Sequence, residues 1–311
     1  MFQNKYILIT VIFIFISLTV FGQGRRRSAR WKQNRYEIIY GLGATNFLGE
    51  LGGADQIGTN FVRDFEVSMT RPLGSIGLRY KLMEKVSATT KFSYGILKGD
   101  DKTTEQVHRK NRNLHFRSPI AEFSMRGEFE IIKESEGHRY TLRKVRGLKG
   151  FKSNIYVFAG IAGFYFNPKA QYEGKWYALQ PLCTEGQGIV PTRKPYSRIQ
   201  VAFPLGIGLK YGLDRKWSIG VEYGVRKTLT DYIDDVSTTY IDKEILRAEK
   251  GDIAAYLSDP SLGYNEGTVG EPNWTGANQQ RGDSFDKDAY MFLEVTLTYK
   301  LKTTRKGMPK F

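Results

Sequence analysis

Strict two-residue alternation of apolar and polar side chains recurs along most of the chain. From Ile199 to Tyr211 every second residue is a large apolar one, and the residues between them are small or polar. A helix repeats every 3.6 residues and does not produce this pattern, so each run predicts a β-strand with one apolar face. Eight runs occur, at residues 36–43, 75–82, 86–96, 121–131, 155–166, 199–212, 217–226 and 291–300. The run at 155–166 is apolar on both faces, so the pattern assigns it no inward side.

The number and length of these strands predict an all-β fold, an eight-stranded antiparallel transmembrane β-barrel. Strands of such barrels have about 9–11 residues and occur in even numbers from 8 upward. After Phe21 the chain has no long apolar run, and only helices and closed barrels satisfy every backbone group in lipid. A soluble sandwich or a lipocalin-like barrel is the alternative. Aromatic residues near strand ends, such as Tyr36, Tyr80 and Trp217, favour the membrane barrel.

The connections between strands fall into two classes. Residues 83–85 and 213–216 are tight turns, whereas 99–117, 168–198 and 230–287 are long. Short turns of membrane barrels lie on the periplasmic side, so we expect periplasmic N- and C-termini and long extracellular loops. The long connection at 133–152 is then periplasmic. One or two short helices are expected within residues 242–257 of the last loop, around Gly251.

The first residues predict export. Lys5 is the only charge before an apolar run at residues 7–21, which is shorter than the roughly 20 residues of a membrane-spanning helix. This is typical of a signal peptide, here residues 1–22, with an uncleaved anchor helix as the alternative. The mature chain is then divided into a basic periplasmic segment at 23–35, the barrel at 36–302 and a basic tail at 303–311.

Six acidic and six basic residues occupy inward positions of the predicted strands. They are Glu37, Arg79, Lys81, Lys91, Glu122, Arg126, Glu128, Glu130, Lys210, Glu222, Arg226 and Glu294. An eight-stranded barrel is just wide enough to be filled by its own side chains, so we expect these charges to pair with one another. An active site that uses Glu122 and Glu128 as an acid/base pair is the alternative.

No other chemistry is indicated by motif or spacing. His108, His115 and His138 lack metal-ligand spacing, and no phosphate loop or nucleophile triad is present. Cys183, the single cysteine, is either free or paired with another chain. We therefore expect no enzyme activity, cofactor, metal or small-molecule substrate. The net charge of +15 would suggest nucleic acid in a cytoplasmic protein, but the signal peptide argues against it.

The positive charge is concentrated in three segments on the side assigned to the periplasm. Residues 24–35, 133–152 and 300–310 account for essentially the whole net charge. Such a basic rim is a candidate docking surface for acidic periplasmic proteins or lipid headgroups, or it only fixes the orientation of the barrel. The candidate partner-binding residues are Arg25, Arg26, Arg27, Arg139, Arg143, Lys144, Arg146 and Lys149.

Several stretches resemble one group of Bacteroidota outer-membrane proteins, the PorG-like barrels of the type IX secretion system. They are residues 41–53 (GLGATNFLGELGG), 54–65 (ADQIGTNFVRDF), 70–73 (TRPL) and 230–240 (TDYIDDVSTTY). The last stretch is the most specific, and its motif residues are Thr230, Asp231, Tyr232, Asp234 and Asp235. The C-terminal Pro-Lys-Phe is also similar to the end of those proteins.

The resemblance implies a non-enzymatic barrel, integral to the cell outer membrane, that docks a periplasmic ring of a PorK-like lipoprotein and a PorN-like protein. The basic rim would suit such a partner. Two other functions are compatible with the sequence, a small outer-membrane transport barrel and a surface adhesin that uses the long last loop.

Overall fold

Eight long antiparallel strands close into a barrel in the computed structural model, which describes residues 34–51, 67–103, 106–133, 153–214, 216–263, 274–303 and 309–310. The strands are β1 (Tyr36–Leu48), β2 (Arg71–Lys81), β3 (Val86–Asp100), β4 (His115–Ile132), β5 (Ser153–Phe166), β6 (Lys169–Tyr172), β7 (Lys175–Ala178), β8 (Ile199–Gly212), β9 (Trp217–Thr228), β10 (Ala289–Thr303) and β11 (Pro309–Lys310). All but β6, β7 and β11 form the barrel wall. The expected signal peptide lies outside the described residues.

The first and last wall strands close the sheet. β1 pairs with β10 along its whole length, from Tyr36 opposite Leu301 to Leu48 opposite Ala289. The other neighbours in the wall pair in the order β10, β9, β8, β5, β4, β3, β2 and β1. The predicted all-β, eight-stranded barrel is therefore confirmed. β3 and β4 extend further than predicted, because their pairing continues to Asp100 opposite His115.

The apolar face of the wall points outward. Leu42 is 75% exposed and Leu205 is 59% exposed, while Lys91 on the opposite face is 1% exposed. β5, whose orientation the sequence left open, directs Phe158 inward and Ile161 outward. A soluble sandwich or lipocalin-like barrel would hide its apolar side chains from solvent, so this exterior is that of an outer-membrane barrel that faces lipid.

Replacing the outward-facing Leu205 by arginine tests this assignment. We expect the free energy of unfolding in lipid vesicles to fall by about 2–4 kcal/mol, the cost of an arginine on the lipid face near the bilayer midplane. The same change at Leu262, an exposed residue outside the wall, serves as the control and is expected to be neutral. Equal unfolding midpoints for the two variants in denaturant titrations would contradict a lipid-facing exterior.

The two ends of the barrel differ. The turns after β2 and β8 are short, and β1 begins and β10 ends at the same end of the wall, here named the short-turn end. The connection between β4 and β5 also leaves from the short-turn end, and residues 134–152 of it lie outside the described part. The opposite end is named the long-loop end. No helix among the described residues is long and apolar enough to cross a membrane.

The long-loop end contains most of the remaining regular structure. The helices are α1 (Val107–Arg112), α2 (Lys243–Lys250) and α3 (Asp252–Ser258), with 3-10 turns at Val67–Met69, Asp101–Thr103 and Gln180–Leu182. The prediction of one or two short helices in the last loop is confirmed, and the number is two. Asp242 caps α2 by accepting a hydrogen bond from Glu244 N (2.8 Å), and Gly251 separates the helices with a φ of 86°. Helix α1 and the β6–β7 hairpin were not predicted, because they lie in the 99–117 and 168–198 connections, which the sequence predicts only as long loops.

Candidate functional site

Ion pairs fill the barrel towards the short-turn end. The Arg79 guanidinium donates to Glu37 at 2.9 Å and to Glu128 at 2.6 Å, and so bridges strands β1, β2 and β4. Lys210 from β8 donates to the same oxygen of Glu37, Oε2, at 3.1 Å. Lys81 lies 3.4 Å from Glu130. Each carboxylate in this layer thus has a cation beside it, which offsets the cost of removing the charges from water.

The middle of the lumen is filled in the same way. Arg126 binds Glu222 through two parallel hydrogen bonds of 2.6 Å, the bidentate geometry that arginine and carboxylate prefer. Its guanidinium also lies 4.3 Å from the centre of the Phe158 ring. Lys91 lies between Glu222, at 3.1 Å, and Glu294, to which it also donates. The four charged side chains come from four different strands, β3, β4, β9 and β10, so their ion pairs cross the lumen.

A third layer lies nearer the long-loop end. Arg226 donates to Glu122 at 3.2 Å, and the Tyr290 hydroxyl donates to the same carboxylate at 2.8 Å. Glu122 and Glu128 are six residues apart on β4, which is about 20 Å along an extended strand. The alternative interpretation of these two residues as an acid/base pair is therefore wrong, because they lie in different layers and each is bound to its own arginine.

An aromatic cluster and the 230–240 segment close the long-loop end. Phe47, Phe116, Phe164, Phe166, Tyr290 and Phe292 form one apolar cluster inside the mouth of the barrel. Ile233 and Val236 of the 230–240 segment are fully buried in this cluster. The Tyr232 ring stacks on Tyr196 with 4.6 Å between the centroids. The 230–240 segment therefore plugs the mouth of the barrel with its apolar residues, and it is named the plug segment.

A buried arginine and glutamate hold the segment in place. Arg281 donates to Glu185 at 3.0 Å and to the backbone carbonyls of Asp235 and Ser258. Glu185 also accepts hydrogen bonds from the backbone N–H groups of Ser237 and Thr238. These two side chains join the 168–198 connection to three separate parts of the last loop.

Asp235 is anchored separately. Its carboxylate accepts hydrogen bonds from the Thr184 hydroxyl and from the Tyr196 hydroxyl, the latter at 2.7 Å. Burial nevertheless raises the pKa of Asp235 to about 6, although the positive charge of Arg281 acts in the opposite direction.

Four carboxylates meet at the long-loop end, where β1 and β9 end and β10 begins. One oxygen each of Glu50, Asp231 and Asp288 lie within 4.8 Å of one another. Glu50 follows β1, Asp231 follows β9 and Asp288 immediately precedes β10, so the pairing of these three strands brings them together. Asp234 lies beside them and accepts hydrogen bonds from Leu51 N at 3.2 Å and Val236 N at 3.0 Å. We name Glu50, Asp231, Asp234 and Asp288 the carboxylate cluster.

Burial, with added repulsion from neighbouring acids, raises the pKa values of the carboxylate cluster. Burial raises the pKa of Glu50 to about 8, with a further contribution from the charge of Asp231. Burial likewise raises the pKa of Asp231 to about 7. The pKa values of Asp234 and Asp288 lie well above the ordinary range, because both are buried and face other acids. The nearby charge of Arg112 lowers the pKa of Glu50 and Asp234 but does not offset these effects.

The chain matches the model of one protein family over most of its length. A family model described as "Domain of unknown function (DUF6089)" matches residues 27–250, which is more than half of the 311 residues. The chain belongs to the DUF6089 family. The DUF6089 match includes β1 to β9, the 230–240 segment and helix α2, and it ends before β10 and Asp288. No curated protein matches the sequence.

Small outer-membrane barrels of known structure are similar to this DUF6089 chain. Neisserial surface protein A is 8% identical, with a TM-score of 0.38 and coverage of 85% of this chain and 96% of that one. OprG from Pseudomonas aeruginosa is 7% identical, with a TM-score of 0.37 and coverage of 87% and 98%. Ail of Yersinia pestis is 8% identical, with a TM-score of 0.35 and coverage of 86% and 99%. The fold of the DUF6089 chain is established by its own strand pairing.

The structure describes some of the predicted site residues and not others. The basic-rim residues between positions 25 and 27 and between 139 and 149 lie outside the described part of the chain. The five motif residues at 230–235 all lie in the plug of the DUF6089 barrel, around the carboxylate cluster. Cys183 is buried, with its Sγ directed at the backbone carbonyls of Gln180 and Pro181, so it is not presented for pairing with another chain.

Sequence reasoning missed Glu50, Asp288, Arg281 and Glu185. The search for metal ligands considered histidine and cysteine spacing, whereas Glu50 and Asp288 are distant in sequence and converge only because β1 pairs with β10. The available signal was that Glu50 follows the first predicted strand and Asp288 precedes the last one, which places both at the same end of the barrel. Arg281 and Glu185 lie in loops and have no periodic pattern that would indicate burial.

Proposed function

We propose that this protein is a non-enzymatic, non-conducting anchor in the outer membrane, which holds periplasmic partners through its short-turn end. The closed lumen is the observation that supports this function best. Arg126, Glu222, Lys91 and Glu294 fill the middle of the barrel, and Ile233 with the aromatic cluster fills its mouth. A lumen occupied by paired charges leaves the two ends as the surfaces available for function.

The short-turn end is the proposed docking surface, and we assign it to the periplasm. Segment 24–35 leads into β1, segment 133–152 joins β4 to β5, and segment 300–310 includes the end of β10 and the residues that follow it. Each basic segment is therefore connected to a wall strand at that end. Their partner would present an acidic surface. The resemblance to PorG-like barrels suggests the ring of PorK-like and PorN-like proteins of the type IX secretion system as this partner.

Conductance in planar lipid bilayers tests the closed lumen. The purified mature protein is expected to insert without stepwise conductance, whereas a porin handled identically gives open channels. Reproducible channels from folded protein would overturn the anchor function and favour a small transport barrel.

Affinity purification from native membranes tests the partner. Reversing charge at Arg143, Lys144 and Arg146 to glutamate is expected to abolish co-purification of periplasmic partners. The matched control reverses three basic residues of α2 at the long-loop end, Lys243, Arg247 and Lys250, and is expected to leave co-purification intact. Partner recovery that is unchanged by the first variant would contradict docking through the basic rim.

Trimming the last loop distinguishes an anchor function from a surface-adhesin function. Removal of residues 264–273 is expected to leave both partner recovery and protein secretion unchanged. Loss of cell adhesion together with intact partner recovery would assign an additional surface role to the loop.

A further inference from the structure

Several oxygens of the carboxylate cluster have no hydrogen-bond partner among the described residues. One oxygen of Glu50 accepts from Asp283 N at 2.9 Å, and one oxygen of Asp288 accepts from Ile233 N at 2.8 Å. These bonds fix both carboxylates by one oxygen only. The second oxygen of each, Oε2 of Glu50 and Oδ1 of Asp288, is buried and has no hydrogen-bond partner among the described residues. Asp288 itself is only 1% exposed.

Asp231 contributes two more oxygens of this kind to the carboxylate cluster. It is 2% exposed, and neither of its oxygens has a hydrogen bond of normal geometry within the described chain, although the Ser237 hydroxyl lies near enough to lower its pKa. Buried polar atoms are nearly always bonded in native proteins, and several unpaired carboxylate oxygens that face one another indicate a missing positive partner.

The neighbouring cations are already bound to groups outside the carboxylate cluster. Arg112 donates to Asp101 at 2.8 and 3.0 Å, and Arg281 donates to Glu185 at 3.0 Å. Lys287 lowers the pKa of Asp231 through its charge and donates its own ammonium hydrogen bond to the Ser284 carbonyl. The carboxylate cluster therefore combines three ligand-type oxygens with a local excess of negative charge.

We propose that Glu50, Asp231 and Asp288 bind one divalent cation, for which Ca²⁺ is the best fit. Two oxygens bound to the same Ca²⁺ lie at most about 5 Å apart, given calcium–oxygen distances of 2.3–2.6 Å. The three side chains meet this condition. A donor set made only of oxygens selects hard cations over zinc or copper. Calcium accepts the irregular geometry of ligands from three strand ends more readily than Mg²⁺ does, because Mg²⁺ requires near-octahedral coordination.

The ion would join the ends of β1, β9 and β10 and fix the plug in the mouth of the barrel. Asp231 belongs to the plug segment, and Asp288 also holds Ile233 through its backbone N–H. Cation binding therefore stabilises the closed long-loop end independently of whichever partner binds at the short-turn end. The site is separate from the proposed docking surface, and the two can fail separately.

Calorimetric titration of the folded, detergent-solubilised mature protein tests the site. After treatment with a chelator, CaCl₂ and MgCl₂ are titrated separately. We expect one Ca²⁺ per chain, weaker binding of Mg²⁺, and slower proteinase K cleavage of the long-loop end when Ca²⁺ is present. Asp231→Asn and Asp288→Asn are each expected to weaken Ca²⁺ binding at least tenfold. Asp286→Asn is the matched control, since the Asp286 side chain lies in the same loop and is 89% exposed, and it is expected to bind Ca²⁺ normally.

Three results would overturn the proposal. The first is the absence of heat and of protease protection with wild-type protein at about 10 mM Ca²⁺ or Mg²⁺, roughly ten times the Kd of weak extracellular calcium sites. The second is unchanged Ca²⁺ affinity in Asp231→Asn and Asp288→Asn. The third is equal loss of affinity in Asp286→Asn. If an asparagine variant does not fold, Glu50→Gln and the wild-type titration still decide the question.

Discussion

Replacing Lys91 by methionine is expected to lower the free energy of unfolding by about 3–5 kcal/mol, as for other buried ion pairs that lose one partner. Lys91 is 1% exposed and is the cation between Glu222 and Glu294. Glu222 keeps its two hydrogen bonds with Arg126, whereas Glu294 loses the cation that its Oε2 binds. Most of the loss therefore comes from leaving the Glu294 charge buried without compensation. Denaturant titration in lipid vesicles, followed by tyrosine and tryptophan fluorescence, measures it.

Two further variants separate the lost ion pair from lost packing. Adding Glu294→Gln to Lys91→Met removes the uncompensated charge and is expected to restore a large part of the stability. Lys98→Met makes the same change on the same strand, where Lys98 lies 3.6 Å from Asp100 and is partly exposed. Its effect is expected to stay within about 1 kcal/mol. If Lys98→Met costs as much as Lys91→Met, the interior network is not a major contribution to stability.

Replacing Arg281 by methionine is expected to open the long-loop end while leaving the barrel wall folded. Arg281 is 2% exposed and joins Glu185 to the backbone of the plug segment and of helix α3. Its removal leaves the Glu185 charge buried, which costs about 3–5 kcal/mol of local stability and should raise the rate of plug cleavage by about 100-fold or more. Limited proteolysis with fragment mapping measures the rate, and the wall strands should remain resistant.

The control for Arg281 is a second arginine of the same loop. Arg247 is exposed and pairs with Glu244 and Asp252 on the helix surface, so Arg247→Met is expected to leave the cleavage rate unchanged. The double variant Arg281→Met with Glu185→Gln should recover part of the protection. Cleavage in the wall strands at the same rate as in the plug would contradict a local role for Arg281.

The pattern of alternate residues was sufficient to predict the wall of the barrel. A strand of a closed barrel has lipid on one side and the lumen on the other, so its sequence must repeat every two residues. The inward positions of Lys91, Glu122 and Arg126 follow from that period alone. The sorting of short turns and long loops to opposite ends follows from the alternating direction of antiparallel strands. β5 was the exception, because Tyr156 and Phe158 are aromatic residues that face the lumen and give it no polar side.

The partners of the inward charges were not available from the sequence. That Arg126 binds Glu222, rather than another of the acids, depends on which strands face each other across the lumen. The position of the plug segment could not be predicted either, because nothing in the order of residues 230–240 indicates that Ile233 and Val236 enter the barrel mouth. Loops have no repeating environment, so their side chains carry no periodic signal of burial.

The sequence by itself determined the architecture: the number of wall strands, the outward apolar face, the sorting of the turns and the neutral charge of the lumen. Only the tertiary structure brought Glu50, Asp231 and Asp288 together and seated the plug between the loops. The physical reason is the range of the interactions involved. Alternation is a local property that each strand must satisfy against lipid, whereas the carboxylate cluster exists only because strands far apart in the chain pair to close the barrel.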